Sequence, residues 1–314
     1  MAPNSKFRGL SVEGGGIRGI IPCRLLGELE KQTGKLVRDC FDYFAGTSTG
    51  SDLCALIQAG VPMSTALEFY TGEDAKQVFC PQSPIEQWPK RAVDGYMFDA
   101  RVLAKCLTAA LGPNAFWRIN DCPKGILIVA CDSAGHTWFF TKDNRDCNSC
   151  TTGKCPLVDA VVASSAAPTY FDWWDVFVPA LTRTLKMADG GTTGFANPVH
   201  RMAIEMFEFD QFAAADTWIY SLGCGYYVPP PNAIAPKSLI DRIGFATGSL
   251  VDSAENLADQ DTRREYFRDR PGQFQKFSPA LPSAIDEADL SAVPVLLALA
   301  EKMAAGMDWI KILG

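Results

Sequence analysis

The chain has 314 residues, 47% of them hydrophobic, enough to bury a sizeable core in one large domain or two modest ones. A formal net charge of −7 and a pI near 5.0 deny it the basic footprint that phosphate backbones require, which excludes nucleic acid as an expected partner. The sequence lacks an apolar run long enough to span a membrane, and Met1 to Lys6 lacks a signal-peptide core, so a cytoplasmic protein is expected, with transient contact at a membrane surface left open.

In chain order, residues 7–12 read as a first strand, Gly14 to Gly16 as a turn, and residues 17–32 as a helix with one apolar stripe. A second short apolar run, 41–45, leads into Gly46-Thr47-Ser48-Thr49-Gly50, after which 52–59 is again helical in pattern. The proline-rich breaks at 81–89 and 229–236 are too short to be clear linkers. Further strands are expected at 125–131, 137–141, 184–188 and 217–222, separated by helix-like stretches such as 157–165 and 198–207. This alternation predicts an α/β fold with a mostly parallel central sheet between helices. Sites in such sheets form at the carboxyl ends of strands, where both glycine-rich turns fall. From about residue 236 helical patterns dominate, and 293–313 reads as a helix packed on the core because it is not enriched in basic residues. Without internal repeats, residues 1–314 are expected to form one domain, its helical C-terminal third packed on the rest.

Most of the eleven cysteines stand singly in apolar stretches, as Cys54, Cys106 and Cys224 do, which favours a reducing compartment. Cys147, Cys150 and Cys155 instead crowd a polar segment. With Cys131 or His136 they make a zinc site conceivable, but no second paired motif accompanies them, so a disulfide or plain loop cysteines is expected. Neither a metal nor a cofactor is assigned.

Gly46 to Gly50 fits G-x-S-x-G between a strand and a helix, where small neighbours permit the tight turn that presents a serine hydroxyl at a helix start. Glu13-Gly14-Gly15-Gly16-Ile17-Arg18-Gly19 offers a backbone that can aim successive amides at one oxygen, as an oxyanion hole must. Gly14, Gly16 and Gly19 equally satisfy G-x-G-x-x-G, so a dinucleotide-binding oxidoreductase competes. Against it, Ser48 rather than a ribose-binding acid closes the second strand. A base for Ser48 must come from His136, His200 or a carboxylate. The order Ser48, Asp189, His200 copies a hydrolase triad, but His200 lies in a helix-like stretch and His136 in a hairpin turn. Asp189 follows a strand-like run and precedes Gly190-Gly191, which places a carboxylate on a tight turn at a strand end.

Glu13 to Gly19, Gly46 to Gly50 and Asp189 to Gly191 together resemble, in order and spacing, the motif blocks of patatin-like phospholipases, and residues 164–171 look like the stretch preceding the catalytic aspartate there. The similarity runs from about Leu10 to about Asn197. It implies a three-layer α/β/α sandwich and a serine acyl hydrolase of phospholipase A, lysophospholipase or esterase type. By the same resemblance Ser48 is the nucleophile, Asp189 its base in a dyad without histidine, and Gly14, Gly15 and Gly16 with Arg18 the oxyanion loop. The implied partner is a phospholipid or other acyl-ester lipid, and no calcium is needed. Glu13 stands where that family usually has aspartate, and Ser51 where a further glycine often follows. The non-enzymatic alternative is a lipid-binding or storage protein. Tyr170, Phe171, Trp173 and Trp174 are candidates for an acyl channel, an interfacial rim or the core.

Overall fold

A parallel strand covered on both faces must be apolar on each side, and the central strands of this chain are. In the computed structural model, which describes residues 6–79, 96–143, 152–228 and 254–314, β1 (Phe7–Val12), β2 (Tyr43–Thr47) and β3 (Gly125–Asp132) run parallel in the order β1-β2-β3. Leu10, Val12, Phe44, Ile126 and Ile128 pack into one core, and Tyr43, Ala45, Leu127 and Val129 into another. Alternate residues thus serve opposite faces, and helices cover both, giving the expected α/β/α layers. Among the described residues the sheet has eight strands in the order β5-β6-β3-β2-β1-β7-β8, with β4 (Thr137–Thr141) also on β3. β7 (Thr217–Leu222) and β8 (Phe274–Phe277) extend the parallel part. β5 (Trp174–Val178) and β6 (Arg183–Asp189) add antiparallel strands.

The registers on β3 determine where the site falls. β4 pairs with Leu127 to Cys131 along one edge of β3, so β2 and β6 must share the other edge. β2 ends there with Thr47 opposite Val129, and β6 arrives from the opposite direction with Asp189 opposite Ala130. The last residue of one strand and the last residue of the other therefore meet end to end, and Ser48 is the next residue after Thr47.

Three elements differ from expectation, the first being β5, which falls in a stretch where no strand was expected. The helix expected at 17–32 starts as a 3-10 turn, Gly16–Gly19, before α1 (Ile20–Thr33). The C-terminal third, read as helical, also contributes β8, a four-residue edge strand too short for its alternation to show. Among its described residues, 254–266 and Val293–Ala305, which lies against α1, are helical. Trp309 is fully buried, and its indole donates to the Leu25 carbonyl at 3.1 Å. Among the described residues no helix is long and apolar enough to cross a membrane. The breaks at 81–89 and 229–236, and Cys147 and Cys150, lie outside the described residues; Cys155 is buried with a free thiol.

Removing the Trp309 side chain should leave a large cavity between the C-terminal segment and α1. Trp309→Ala is expected to destabilise the fold by about 3–5 kcal/mol, seen as a lower urea midpoint at unchanged slope. An unchanged midpoint would mean that this segment adds nothing to the core.

Candidate active site

Ser48 leaves β2 with φ 53° and ψ −130°, a conformation costly for any residue with a side chain, and caps the helix Thr49–Ala59. Such a turn folds only where the backbones can crowd. A Cβ on Gly46 would strike the Gly50 carbonyl, and one on Gly50 would strike that of Val12, which is the physical content of the two motif glycines. The turn is then held from outside. The Ser48 N–H donates to Ser164 Oγ at 2.9 Å, and that hydroxyl donates to the Val129 carbonyl at 2.6 Å. The Ser48 carbonyl accepts from both N–H and Oγ of Ser51 at 2.7 Å. Ser51, one of the noted departures, thus supports the turn.

Asp189 sits at the end of β6, its Oδ1 accepting from the Gly191 N–H at 2.7 Å. The nearby Ser48 hydroxyl favours the carboxylate's charged form. Ser48 and Asp189 are each only 6% exposed. Burial pushes the Asp189 carboxyl up to about 7; the Gly191 N–H and the Ser48 hydroxyl pull the other way, and the Glu287 carboxylate adds to the rise. Near neutral pH such a group exists in both protonation states, as a general base requires.

The glycine turn abuts the serine: a Cβ on Gly14 would lie 3.2 Å from Ser48 Cβ. The Gly14 N–H is taken by the Ala196 carbonyl at 2.9 Å, and the Arg18 N–H by that of Gly15 at 3.0 Å. The N–H groups of Gly15 and Gly16 donate to nothing among the described residues. Gly16 has φ +55°, and a Cβ there would collide with Glu287. Glu287 straps the turn from outside, its carbonyl accepting from the Ile17 N–H at 2.8 Å and its side chain pairing with the Arg18 guanidinium at 2.8 Å.

Behind the turn lies a buried charge cluster. Glu13 pairs with Lys276 of β8, whose ammonium also lies 3.1 Å from Asp259. Asp259 accepts from Asn197 at 3.0 Å and Ser221 at 3.3 Å. Burial alone would lower the Lys276 pKa, but Glu13 and Asp259 outweigh it and hold the ammonium charged. Glu13 therefore has a structural partner that explains its length: its carboxylate reaches an ammonium two strands away.

Ser48 opens onto a cleft walled by Phe69, Val78, Leu103, Tyr170 and Phe171. Of the four candidate aromatics, Tyr170 and Phe171 line it. Trp174 begins β5 and donates to Asp159 at 3.1 Å, while Trp173 is exposed. Neither histidine lines the cleft: His136 faces Asp132 in the β3–β4 hairpin, and His200 faces Glu265 at 3.0 Å. Gly19 packs against Thr49 and Tyr70. Sequence reasoning did not assign Ser164, Glu287, Lys276 or Asp52, a cleft residue. Ser164 lay within a noted block, and Asp52 is the lone carboxylate of an otherwise uncharged helix, Thr49–Ala59. Glu287 and Lys276 carry no local signal.

Residues 10–203 match the family described as patatin-like phospholipase. A "cGAMP-activated phospholipase" of Vibrio cholerae is 30% identical over 262 residues, 77% of this chain and 70% of that protein. Another of that name from Escherichia coli is 29% identical, covering 69% of this chain and 62% of that protein. "Patatin-like protein 2" of Oryza sativa subsp. indica is 30% identical over 52% of this chain, which spans only 43% of the rice protein.

Ser164→Ala should strand the Ser48 N–H and the Val129 carbonyl in a buried place. A loss of about 1–3 kcal/mol is expected, measured by urea unfolding, and Ser164→Thr should recover part of it. Equal stability of wild type and Ser164→Ala would remove the clamp from this account.

Proposed function

This chain belongs to the patatin-like phospholipase family and is a lipid acyl hydrolase, and we propose that it cleaves fatty-acyl esters of phospholipids or related glycerolipids through Ser48 and Asp189. The observation that carries the proposal is a serine on a strained strand-to-helix turn, brought end to end with a buried carboxylate and opening onto an apolar cleft. In the proposed reaction Ser48 Oγ attacks the ester carbonyl as its proton passes to Asp189. The tetrahedral oxyanion is met by the Gly15 and Gly16 amides, with Gly14 and Arg18 holding the turn that presents them. Asp189 returns the proton to the departing alcohol, leaving an acyl group on Ser48. Water, deprotonated by Asp189, then releases the fatty acid. The helix N-terminus beyond Ser48 favours the developing negative charge.

The cleft's free volume is about 40 Å³, room for only a few waters against roughly 300 Å³ or more for a typical ligand pocket. An acyl chain enters only if the walls part, and this supports a resting enzyme that is activated. Two relatives carry cGAMP activation in their names, which makes that dinucleotide the first activator to test. Lipid enters from a transiently contacted membrane surface. The chemistry assigned to Ser48 and Asp189 needs no metal.

Fatty-acid release from phospholipid vesicles, with and without cGAMP, and labelling by a fluorophosphonate test the proposal. Ser48→Ala and Asp189→Asn should each lose at least about 10³-fold in kcat/KM, and labelling should vanish in Ser48→Ala; retained hydrolysis in either would overturn the assignment. Chelation with EDTA should leave activity unchanged, and its loss would point to a metal.

The reacting form has Asp189 ionised, and burial raises its pKa to about 7. The rate should therefore fall about tenfold per pH unit below that value and level off above it. Glu287 contributes to the rise, so Glu287→Gln should move the acid limb to lower pH. A limb near pH 4 in the wild type would mean that another group serves as base.

A further inference from the structure

Asp52 lies one helical turn beyond Ser48 and lines the same cleft. Residues four apart share a helix face, and side chains lean toward the helix N-terminus, so Asp52 leans toward the nucleophile. It is 5% exposed. Its Oδ1 accepts from Ser165 Oγ at 3.2 Å, whereas Oδ2 has no hydrogen-bond partner among the described residues. The neighbouring polar groups are already engaged. Tyr70 OH accepts from Thr49 Oγ1 at 2.7 Å and donates to the Thr49 carbonyl at 3.2 Å. Tyr170 OH donates to Asp286 at 2.8 Å. Glu287 stands at the more open side, paired with Arg18. Deep in a wall of Phe69, Val78, Leu103 and Phe171, one carboxyl oxygen is left for whatever fills the cleft.

An unsubstituted acyl chain would pass that oxygen without satisfying it, whereas a hydroxyl on the chain would do so. We propose that Asp52 is a specificity-determining residue that favours acyl groups bearing a hydroxyl a few carbons from the ester carbonyl. Burial pushes its carboxyl up to about 7, Ser165 opposing and Asp189 adding to the rise. Near neutral pH it can therefore accept a hydrogen bond as carboxylate or donate one as acid. The assignment rests on the reading of Ser48 as nucleophile, since only that makes the cleft an acyl site.

The test compares kcat/KM for 4-methylumbelliferyl esters of decanoic and 3-hydroxydecanoic acid in wild type, Asp52→Asn and Asp52→Leu. In parallel, decanoate and 3-hydroxydecanoate compete with fluorophosphonate labelling of each protein. The wild type should prefer the hydroxylated ester and acid by about tenfold or more. Asp52→Asn, which still hydrogen-bonds, should keep most of that preference, and Asp52→Leu should reverse it. No preference in the wild type, or an equal preference in Asp52→Leu, overturns the role of Asp52 while labelling persists. A change confined to lysophospholipid over diacyl substrates would place Asp52 on the leaving group and overturn it too. All measurements are made with and without cGAMP, and failure of the wild type to label or turn over either ester in both conditions sinks the nucleophile reading itself, and this inference with it.

Discussion

The site depends on one constraint of sheet geometry: two strands meet end to end along a single edge of β3. β2 stops opposite Val129 and β6 stops opposite Ala130, so residues 141 positions apart in sequence are brought together by hydrogen-bond register alone. Register in a sheet buried on both faces is strongly specified, because a one-residue slip would turn every side chain of the strand to the wrong core. The rigidity of that core is what holds Ser48 beside Asp189. The crowded turn at Gly46 and Gly50 converts this placement into a hydroxyl aimed at the cleft.

Ser48, Asp189 and the glycine turn were legible in the sequence because each is a local device. A strained turn needs glycine beside it, and a carboxylate on a strand-ending turn needs Gly190 and Gly191 after it; such requirements leave marks within a few residues. What surrounds them is not local. Ser164 reaches Ser48 from a helix more than a hundred residues later, and Lys276 and Glu287 arrive from the C-terminal third. Their residue types are ordinary for a strand and a loop, so nothing nearby betrays them. The central strands were readable from apolar runs. β8 was not, since four residues at a sheet edge carry too little pattern, and β5 was obscured by the alternately exposed Phe177 and Asp175.

The electrostatics divide into two kinds of buried carboxylate. Glu13 and Asp259 are compensated by the Lys276 ammonium and act as mortar between β1, β7, β8 and the helix at 254–266. Asp189 and Asp52 pair with no cation among the described residues, only with hydrogen-bond donors, and burial raises both toward neutrality. Burial raises the Glu13 carboxyl as well, Lys276 opposing it without cancelling it. The difference between the two kinds is the ammonium, present beside Glu13 and replaced by hydrogen-bond donors beside Asp189 and Asp52.

The bonds from Ile17 and Arg18 to Glu287 close a circuit between the first helical turn and a residue 269 positions later than Arg18. A ribosome releases the motif segments long before Lys276 and Glu287. Until those two have emerged, the glycine turn has neither the carbonyl nor the carboxylate that straps it, and Glu13 has no lysine. The turn therefore takes its final form only after more than 250 further residues have been made, so the order of synthesis separates the motif from its supports.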